Sequence, residues 1–290
     1  MWRGYAFALL AAFCWAMGGL TAKWLELDPA AMTGIRSIVA VVVLGVLLAL
    51  FRRQDFRLAH PRHDIPFLII FGVFGQAAMS YTYLQAIAHN PVGIAILLHY
   101  LAPVVSLFIG IVFLRNKPKA LAIGGVLLAV IGCALVVGIV NPAGIQVTAI
   151  GFAWGIAAAV FFSLYAVMGS QAKERFSAFT LLFYGLLVST ILWLIVAGPV
   201  AVVTPIITPE TTLPLLAVGT IATLLPFAAF LLAVRYIPAV NAGITAMAEP
   251  ILAVIGGAVL FGDLITGSFV AGGVLVLLAI AAIQISDAWS

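Results

Sequence analysis

The chain has 290 residues, of which 65% are hydrophobic and 8% are charged, and its formal net charge is +4. Soluble domains usually have about a quarter of their residues charged, so this composition excludes a soluble globular protein. The basic residues are spread over short loops between apolar runs, which excludes a nucleic-acid-binding surface. The two cysteines, Cys14 and Cys133, lie inside apolar runs and predict neither a disulfide framework nor a metal site.

Apolar segments long enough to form membrane-spanning helices follow one another along the whole chain. Such a helix needs about 20 residues, because the hydrocarbon core of a bilayer is about 30 Å thick and each residue adds about 1.5 Å. The short loops between the segments leave no room for a soluble domain. We therefore predict an all-α integral membrane protein with ten transmembrane helices, over residues 4–24, 29–51, 65–88, 91–114, 120–140, 148–171, 178–203, 213–235, 237–261 and 266–286.

The second half of the chain repeats the first with a shift of 147 residues. The repeated positions include three pairs: Pro91 with Pro238, Pro103 with Pro250, and Gly4 with Gly151. A fixed shift of about half the chain indicates an internal duplication, here a five-helix repeat over 1–147 and a second over 148–290. Because five is an odd number, the second repeat must enter the membrane from the opposite side. Inverted repeats are typical of secondary transporters, which work by alternating access around a site near the middle of the membrane.

The distribution of Lys and Arg predicts the orientation in the membrane. With ten spans, nearly all of the thirteen basic residues lie on the same side of the membrane as the N-terminus. The positive-inside rule therefore places both termini in the cytoplasm. Lys23 is on the outer side, and Arg36 lies inside the second predicted span. We expect Arg36 to extend toward the outer membrane surface or to form a local ion pair, although it could also attract a carboxylate.

Glu249 is the one acidic residue placed deep inside an apolar segment. A charge at mid-membrane is unfavourable by about 2.5–3.5 kcal/mol on insertion scales, so its side chain should face a polar interior. Pro250 follows directly and removes the helical hydrogen bond to the Ala246 carbonyl, as Pro103 does for the His99 carbonyl. We expect both prolines to act as hinges beside a central cavity, where the freed carbonyls find polar partners. The alternative is a protonated Glu249 that only packs against a neighbouring helix.

Polar and aromatic side chains on several spans predict a mostly apolar small-molecule pocket. Gln76 and Tyr83 share one face of the third span, because residues seven apart align on a helix, and Met79 lies beside them. We expect Glu249 to meet a substrate ammonium and His99 to donate to its carboxylate, although a helix-packing histidine would explain His99 equally well. The predicted substrate-binding residues are Trp15, Gln76, Met79, Tyr83, His99 and Glu249, with Tyr81, Tyr100, Phe162 and Tyr165 as further candidates.

Nucleotide-binding and metalloprotease motifs are absent from the sequence, which argues against an ATP-driven pump and a metalloprotease. A membrane-embedded lipid-modifying enzyme would need convergent acid–base or metal ligands, and only Glu249 and His99 are available for that role. A structural membrane protein or a receptor has no evident use for an inverted duplication. The sequence therefore favours a transporter of a small molecule, surrounded by membrane lipid, over an enzyme.

Four short motifs accompany the ten spans: residues 11–16 (AAFCWA), 102–103 (AP), 248–253 (AEPILA) and 260–263 (LFGD). Together they resemble the drug/metabolite transporter superfamily, in its EamA-type branch of ten-helix exporters, over nearly the whole chain. The resemblance implies export of small metabolites across a bacterial inner membrane without a bound cofactor. Within the family the chain looks most like the bacterial amino-acid exporters, in particular the aromatic amino-acid branch. A broad cationic-drug exporter, with Glu249 as the partner of the cation, is the alternative. The family often has Glu where this chain has Asn116 and Asp263.

Overall fold

The computed structural model describes residues 2–25, 27–102, 104–105, 108, 120–136, 147–172, 175–237, 245–246 and 248–288. These residues are largely helical, and no strand occurs among them. The α-helices, in chain order, are α1 (Trp2–Leu25), α2 (Pro29–Phe51), α3 (Pro61–Ile70), α4 (Ala78–His89), α5 (Val92–His99), α6 (Ala120–Val136), α7 (Ala149–Ala172), α8 (Ala178–Val196), α9 (Pro199–Ile207), α10 (Pro209–Gly219), α11 (Leu225–Tyr236), α12 (Ala248–Phe261) and α13 (Gly267–Ala288).

The length and composition of the helices are those of a multi-pass membrane protein. Within the described residues, six helical stretches are long and apolar enough to cross a membrane, and three shorter apolar helices accompany them. Large apolar side chains cover the outside of the bundle; Phe51, Val200 and Val259 are 76–77% exposed. This surface can face lipid, because the helices satisfy their own backbone hydrogen bonds. The prediction of an all-α integral membrane protein is confirmed.

The predicted seventh span, 178–203, is wrong in its C-terminal part. Helix α8 ends at Val196, Gly198 adopts a left-handed φ of 85°, and Pro199 begins the separate helix α9. Glycine takes this conformation without a steric penalty, and proline fits the first turn of a new helix. Hydropathy alone does not reveal the break, because the apolar run continues through it.

The third and eighth predicted spans share an irregularity that the sequence analysis did not predict. Each contains a π-helical segment: Phe71–Ala77 lies between α3 and α4, and Thr220–Leu224 lies between α10 and α11. The segments end at Ala77 and Leu224, which are 147 residues apart (224 − 77). Short π-helical insertions are rare and are frequently found at functional sites. The duplication therefore extends to a backbone irregularity as well as to the hydropathy pattern.

The first helix of each repeat packs against the end of a span in the other repeat. A Cβ atom added to Gly4 of α1 would lie 2.7 Å from the Ile237 side chain, and one added to Gly151 of α7 would lie 2.5 Å from the Asn90 side chain. The Asn90 amide also donates to the Gly151 carbonyl at 3.0 Å. Gly4 with Gly151, and Asn90 with Ile237, both obey the shift of 147 residues. These reciprocal contacts are expected of a duplicated unit that packs against its own copy, while the repeat boundaries and the inverted orientation stay predictions.

Small residues bring the central helices close together. Ala16, Ala86, Ala95 and Ala253, from α1, α4, α5 and α12, are at most 1% exposed and pack in one cluster. Small side chains allow helix backbones to approach each other in a membrane, where no hydrophobic force drives helices together. The described residues also bury several polar side chains, which include Arg36, Gln76, Ser80, Thr223 and Glu249.

Candidate functional site

Glu249 is held by a tyrosine from a different span. It lies in the first turn of α12 and is 5% exposed. The Tyr100 hydroxyl, just after α5, lies 3.0 Å from Glu249 Oε2 and 2.8 Å from the Ala246 carbonyl oxygen, and its single proton is shared between these two acceptors. Ala246 carries the carbonyl that Pro250 leaves without a helical partner. The expectation that this carbonyl finds a polar partner is therefore confirmed, and one hydroxyl links the fourth and ninth predicted spans.

Arg36 does not extend toward the membrane surface, so that expectation is wrong. Its side chain is 6% exposed and lies about 10 Å from the start of α2, at about 1.5 Å per residue. Nε donates to Thr223 Oγ1 at 3.0 Å, and Nη2 donates to the Ala222 carbonyl over a longer distance of 3.4 Å. Nη1 has no hydrogen-bond partner among the described residues. The expected local ion pair is also missing there, since none of the described carboxylates lies within 4.0 Å of the guanidinium.

The π-helical segment Thr220–Leu224 positions both partners of Arg36. Thr223 Oγ1 donates to the Val218 carbonyl at 3.0 Å, five residues back, whereas a threonine in an α-helix bonds the carbonyl three or four residues back. Because this bond uses the hydroxyl proton, the oxygen is left to accept from Arg36 Nε. Ala222 is fixed by a close approach of α1, where a Cβ atom added to Gly18 would lie 2.8 Å from Ala222 Cβ.

Arg36 and Glu249 belong to one interior although they do not touch. Tyr83 lies close enough to both groups to interact electrostatically with them. Arg36 and Glu249 also interact with each other at longer range. The hydroxyl of Tyr83 approaches α1 at Gly19, where an added Cβ atom would be 3.1 Å away. Among the described residues, this interior thus contains one acidic and one basic side chain, with the Tyr100 hydroxyl beside the acid.

His99 lies in the same aromatic environment. Its ring centroid is 5.1 Å from that of Tyr83, 4.6 Å from that of Phe162 and 6.3 Å from that of Tyr100. The Ala158 carbonyl lies near the ring, while Nδ1 is buried and has no partner among the residues that the structure describes. A ring nitrogen can donate or accept a hydrogen bond, depending on which nitrogen carries the proton. Nδ1 is therefore available to a ligand, and the expected donation to a substrate carboxylate stays a prediction.

A row of aromatic rings joins Trp15 to this site. Starting from Phe162, the centroids of successive rings are 6.2 Å apart to Tyr165, 5.9 Å to Phe227 and 5.6 Å to Trp15. Trp15 also packs on Phe230 at 5.8 Å. The predicted site residues Tyr83, His99 and Glu249 are therefore brought together directly, and Trp15 is connected to them through three intervening rings.

Gln76 and Met79 lie on the same span but are less closely connected to the acid. Both are buried, with 2% and 6% of their surfaces exposed. Gln76 lies in the π-helical segment Phe71–Ala77 and approaches α8, where a Cβ atom added to Gly185 would be 3.8 Å from Gln76 Cβ. Its Oε1 has no hydrogen-bond partner within the described part of the chain. A buried polar atom in this state is a candidate ligand contact.

Two site features escaped the sequence analysis: the inward position of Arg36 and its partner Thr223. The duplication contained a signal for Thr223, because Gln76 was a predicted site residue and the shift of 147 residues leads from Gln76 to Thr223. Of the two predicted hinges, Pro250 is buried in the first turn of α12, and Pro103 lies outside the described residues. The described residues contain no group of three or more His, Cys, Asp or Glu side chains that could hold a metal ion.

Ion pairs near the ends of the bundle connect the two halves of the chain. Lys23 Nζ lies 3.1 Å from Asp263 Oδ1, and the Lys23 ammonium is 4.7 Å from the centre of the Phe261 ring. Elsewhere, Arg175 Nε donates to Asp64 Oδ1 at 2.7 Å. These pairs lie away from the Glu249 site and account for the charges of Lys23 and Asp263 without a ligand.

Comparisons with known proteins agree on the class of protein. An uncharacterized inner membrane transporter, YicL, of Salmonella typhimurium is 25% identical over 60% of this chain, and the chain spans 59% of that relative's length. An uncharacterized transporter of Clostridium kluyveri is 24% identical over 96% of this chain and 92% of the relative. The uncharacterized transporter PA0485 of Pseudomonas aeruginosa is 26% identical over 99% of this chain and 94% of the relative.

The fold is shared with a protein of known crystal structure that is 18% identical in sequence. The match covers 96% of this chain and 95% of the chain in that structure, with a TM-score of 0.65. At this identity the likeness shows the fold alone. The family model described as the EamA-like transporter family matches residues 2–138 and 149–285, two segments whose first residues are 147 apart (149 − 2). Because these matches cover most of the sequence, the chain belongs to the EamA-like transporter family, within the drug/metabolite transporter superfamily.

Proposed function

We propose that this membrane transporter exports amino acids, in particular aromatic or hydrophobic ones, and related small metabolites. The supporting observation is that, among the described residues, the buried site contains one carboxyl group, Glu249, and one guanidinium group, Arg36, which lie apart in an aromatic-lined interior. A charged group in a membrane interior needs a charged or strongly polar partner. One group of each sign matches a zwitterion, and the aromatic rings match an apolar side chain.

The same observation disfavours the two other substrate classes. A cationic drug would meet Glu249 favourably, but it would also bring a positive charge near the buried Arg36. A phosphorylated metabolite carries about two negative charges. Among the described residues, Arg36 is the one buried Lys or Arg side chain, so the site offers one positive charge to such a substrate. Family membership and the names of the relatives point to a transporter rather than a lipid-modifying enzyme.

We further propose that transport follows alternating access in a bacterial inner membrane, with both termini in the cytoplasm. The repeats would cover residues 1–147 and 148–290, and the kinks at Pro103 and Pro250 would act as hinges. The proposed substrate-binding residues are Trp15, Gln76, Met79, Tyr83, His99 and Glu249. The contact between Tyr100 and the Ala246 carbonyl supports this arrangement, because a bond across two spans at the level of Pro250 can be made or released when these spans bend.

The test is transport by the purified protein in proteoliposomes. Vesicles preloaded with unlabelled phenylalanine should accumulate labelled phenylalanine by exchange, and protein-free vesicles should not. Competition with an excess of other amino acids, cationic drugs and sugar phosphates then defines the substrate class. Competition by cationic drugs, with no competition by amino acids, would overturn the proposed function in favour of drug export.

A further inference from the structure

We propose that Arg36, held in place by Thr223, is the subsite that binds the substrate carboxylate. This role rests on the proposed export of amino acids and adds the group that recognises the end of the substrate opposite to Glu249. It also requires that a transported molecule carry both a carboxylate and an amine. An amine without a carboxylate, or a carboxylate without an amine, should then be a poor substrate.

The hydrogen bonds of Arg36 leave one edge of its guanidinium group open. The group has five N–H donors in a rigid plane. Two of its nitrogens, Nε and Nη2, donate to Thr223 and Ala222, while Nη1 is buried and makes no hydrogen bond to any described residue. Nη1 and the second proton of Nη2 are neighbouring donors, and this arrangement fits the two oxygens of a carboxylate.

The charge of Arg36 is unbalanced by its immediate partners. A threonine hydroxyl and a backbone carbonyl are neutral, so they orient the guanidinium without neutralising it. Glu249 lies beyond ion-pair distance and is bonded to Tyr100. A buried charge without a close partner of opposite sign is strongly unfavourable in a membrane. A substrate carboxylate would supply the missing negative charge when it occupies the open edge.

The surroundings of Arg36 fix its orientation before a substrate arrives. Thr223 is held by its own bond to the Val218 carbonyl, and Ala222 is fixed against Gly18. Nε therefore has a partner in a set position, and the open edge points away from this partner. A pre-oriented arginine loses less side-chain entropy on binding than a free one. In this way the π-helical segment of the eighth span prepares a side chain of the second span for ligand binding.

The alternative is an arginine that only joins the second span to the eighth. If Arg36 were only structural, its substitution would change the stability of the protein by the same amount whichever substrate is present. A carboxylate subsite would instead change the preference between substrates that differ only in their carboxylate. Phenylalanine and phenylalaninamide form such a pair, because the amide keeps the ring and the amine and replaces the carboxylate with a neutral group.

The experiment measures the affinities of both compounds for the purified protein, by competition with labelled phenylalanine and by thermal stabilisation. The parent protein should bind phenylalanine at least about tenfold more tightly than phenylalaninamide, as expected for loss of a charge-assisted hydrogen bond. Arg36→Gln should weaken phenylalanine binding by about ten- to a hundredfold and leave phenylalaninamide binding nearly unchanged, so the preference disappears.

A matched control and a second variant keep the test decisive. Arg53→Gln removes an exposed arginine that also donates to a backbone carbonyl, and it should keep the parental preference. Thr223→Val keeps the charge of Arg36 but removes the acceptor of Nε, so it should reduce the preference by a smaller factor than Arg36→Gln. This second variant carries the test if Arg36→Gln does not fold.

The outcomes separate the subsite from the proposed function. If the parent binds phenylalanine tightly and a folded Arg36→Gln protein keeps the parental preference, Arg36 is a structural residue and amino-acid export still stands. If the parent binds neither compound but binds cationic drugs, the proposed function fails and the subsite fails with it. If neither Arg36→Gln nor Thr223→Val alters the preference for phenylalanine over phenylalaninamide, the assignment of Arg36 is wrong.

Discussion

The two π-helical segments have the same place in the two repeats but hold different side chains. Gln76 and Thr223 are equivalent positions, 147 residues apart (223 − 76). Thr223 donates to a carbonyl five residues back and accepts from Arg36, whereas Gln76 Oε1 has no partner among the described residues. The backbone irregularity is duplicated, whereas within the described part of the chain the contact with an arginine is made by Thr223 and not by Gln76.

Each charged group of the site likewise occurs in only one of the two repeats. Arg36 corresponds to Phe183 in the other repeat (183 − 36 = 147), and Glu249 corresponds to Ala102 (249 − 102 = 147). A fully symmetric site would contain two guanidinium and two carboxyl groups in one interior of low dielectric constant, where like charges repel strongly. The two repeats therefore share a scaffold but place the two charged side chains at positions that are not equivalent, which gives the proposed site two unlike ends.

The two repeats are inverted copies of each other only if they cross the membrane in opposite directions. Gln54 and Glu210 are exposed; Gln54 lies between the second and third spans, and Glu210 lies in the first turn of α10, between the predicted seventh and eighth spans. We expect Glu210→Cys to be labelled by a membrane-impermeant maleimide added outside intact cells, and Gln54→Cys to be labelled only after permeabilisation. The parent protein gives the background from its own cysteines. Labelling of both variants in intact cells would show that the repeats are not inverted.

The acidic end of the site should show the next largest effect. Glu249→Gln removes the charge that we assign to the substrate ammonium, and loss of one charge-assisted bond is worth about 1.5–3 kcal/mol. We expect phenylalanine affinity to fall about ten- to a hundredfold, while Glu210→Gln, at an exposed glutamate, stays like the parent. Exchange and net flux driven by a pH gradient are measured in the same vesicles. Loss of net flux with intact exchange would contradict this assignment and identify Glu249 as a proton carrier.

Tyr100 tests whether the acid depends on its neighbour from the other repeat. Tyr100→Phe deletes the hydroxyl that bonds both Glu249 and the Ala246 carbonyl. A hydrogen bond to a charged group contributes about 1.5–3 kcal/mol. Because Tyr100 acts on the substrate only through Glu249, we expect phenylalanine affinity to fall by a smaller factor, about three- to tenfold. Tyr236→Phe, at an exposed tyrosine that stacks on Phe7, is the control and should have no effect. Equal affinities for Tyr100→Phe and the parent would show that the contact does not support the site.

The reciprocal glycine contacts should give the smallest effects and the most similar ones. Gly4→Ala and Gly151→Ala each place a Cβ atom within 2.7 Å of the other repeat. Overpacking usually destabilises by about 1–3 kcal/mol, and the higher helix propensity of alanine offsets up to about 1 kcal/mol. We expect similar decreases in the thermal midpoint for both variants. Gly124→Ala, where no atom lies within 4 Å of the added Cβ, should be neutral or slightly stabilising. A loss confined to one of the two repeats would indicate that their packing is not equivalent.

The sequence by itself determined the membrane class, most span positions, the duplication and the family. These features depend on hydropathy and on spacing along the chain, which are local properties. The same reasoning identified Glu249 and the carbonyl freed by Pro250, because a buried acid and a helical proline have consequences that follow from their own positions.

The tertiary structure decided which partners these side chains meet. Tyr100 is 149 residues from Glu249, and Arg36 is 187 residues from Thr223, so no local pattern connects them. The inward position of Arg36 depends on acceptors that a π-helical segment presents from another span, and a π-helical segment has no distinct hydropathy signal. The break at Gly198 was hidden for a related reason, because a left-handed glycine ends a helix without ending its apolar run. Hydropathy determines which segments enter the membrane, whereas the distances between spans determine which polar groups satisfy one another there.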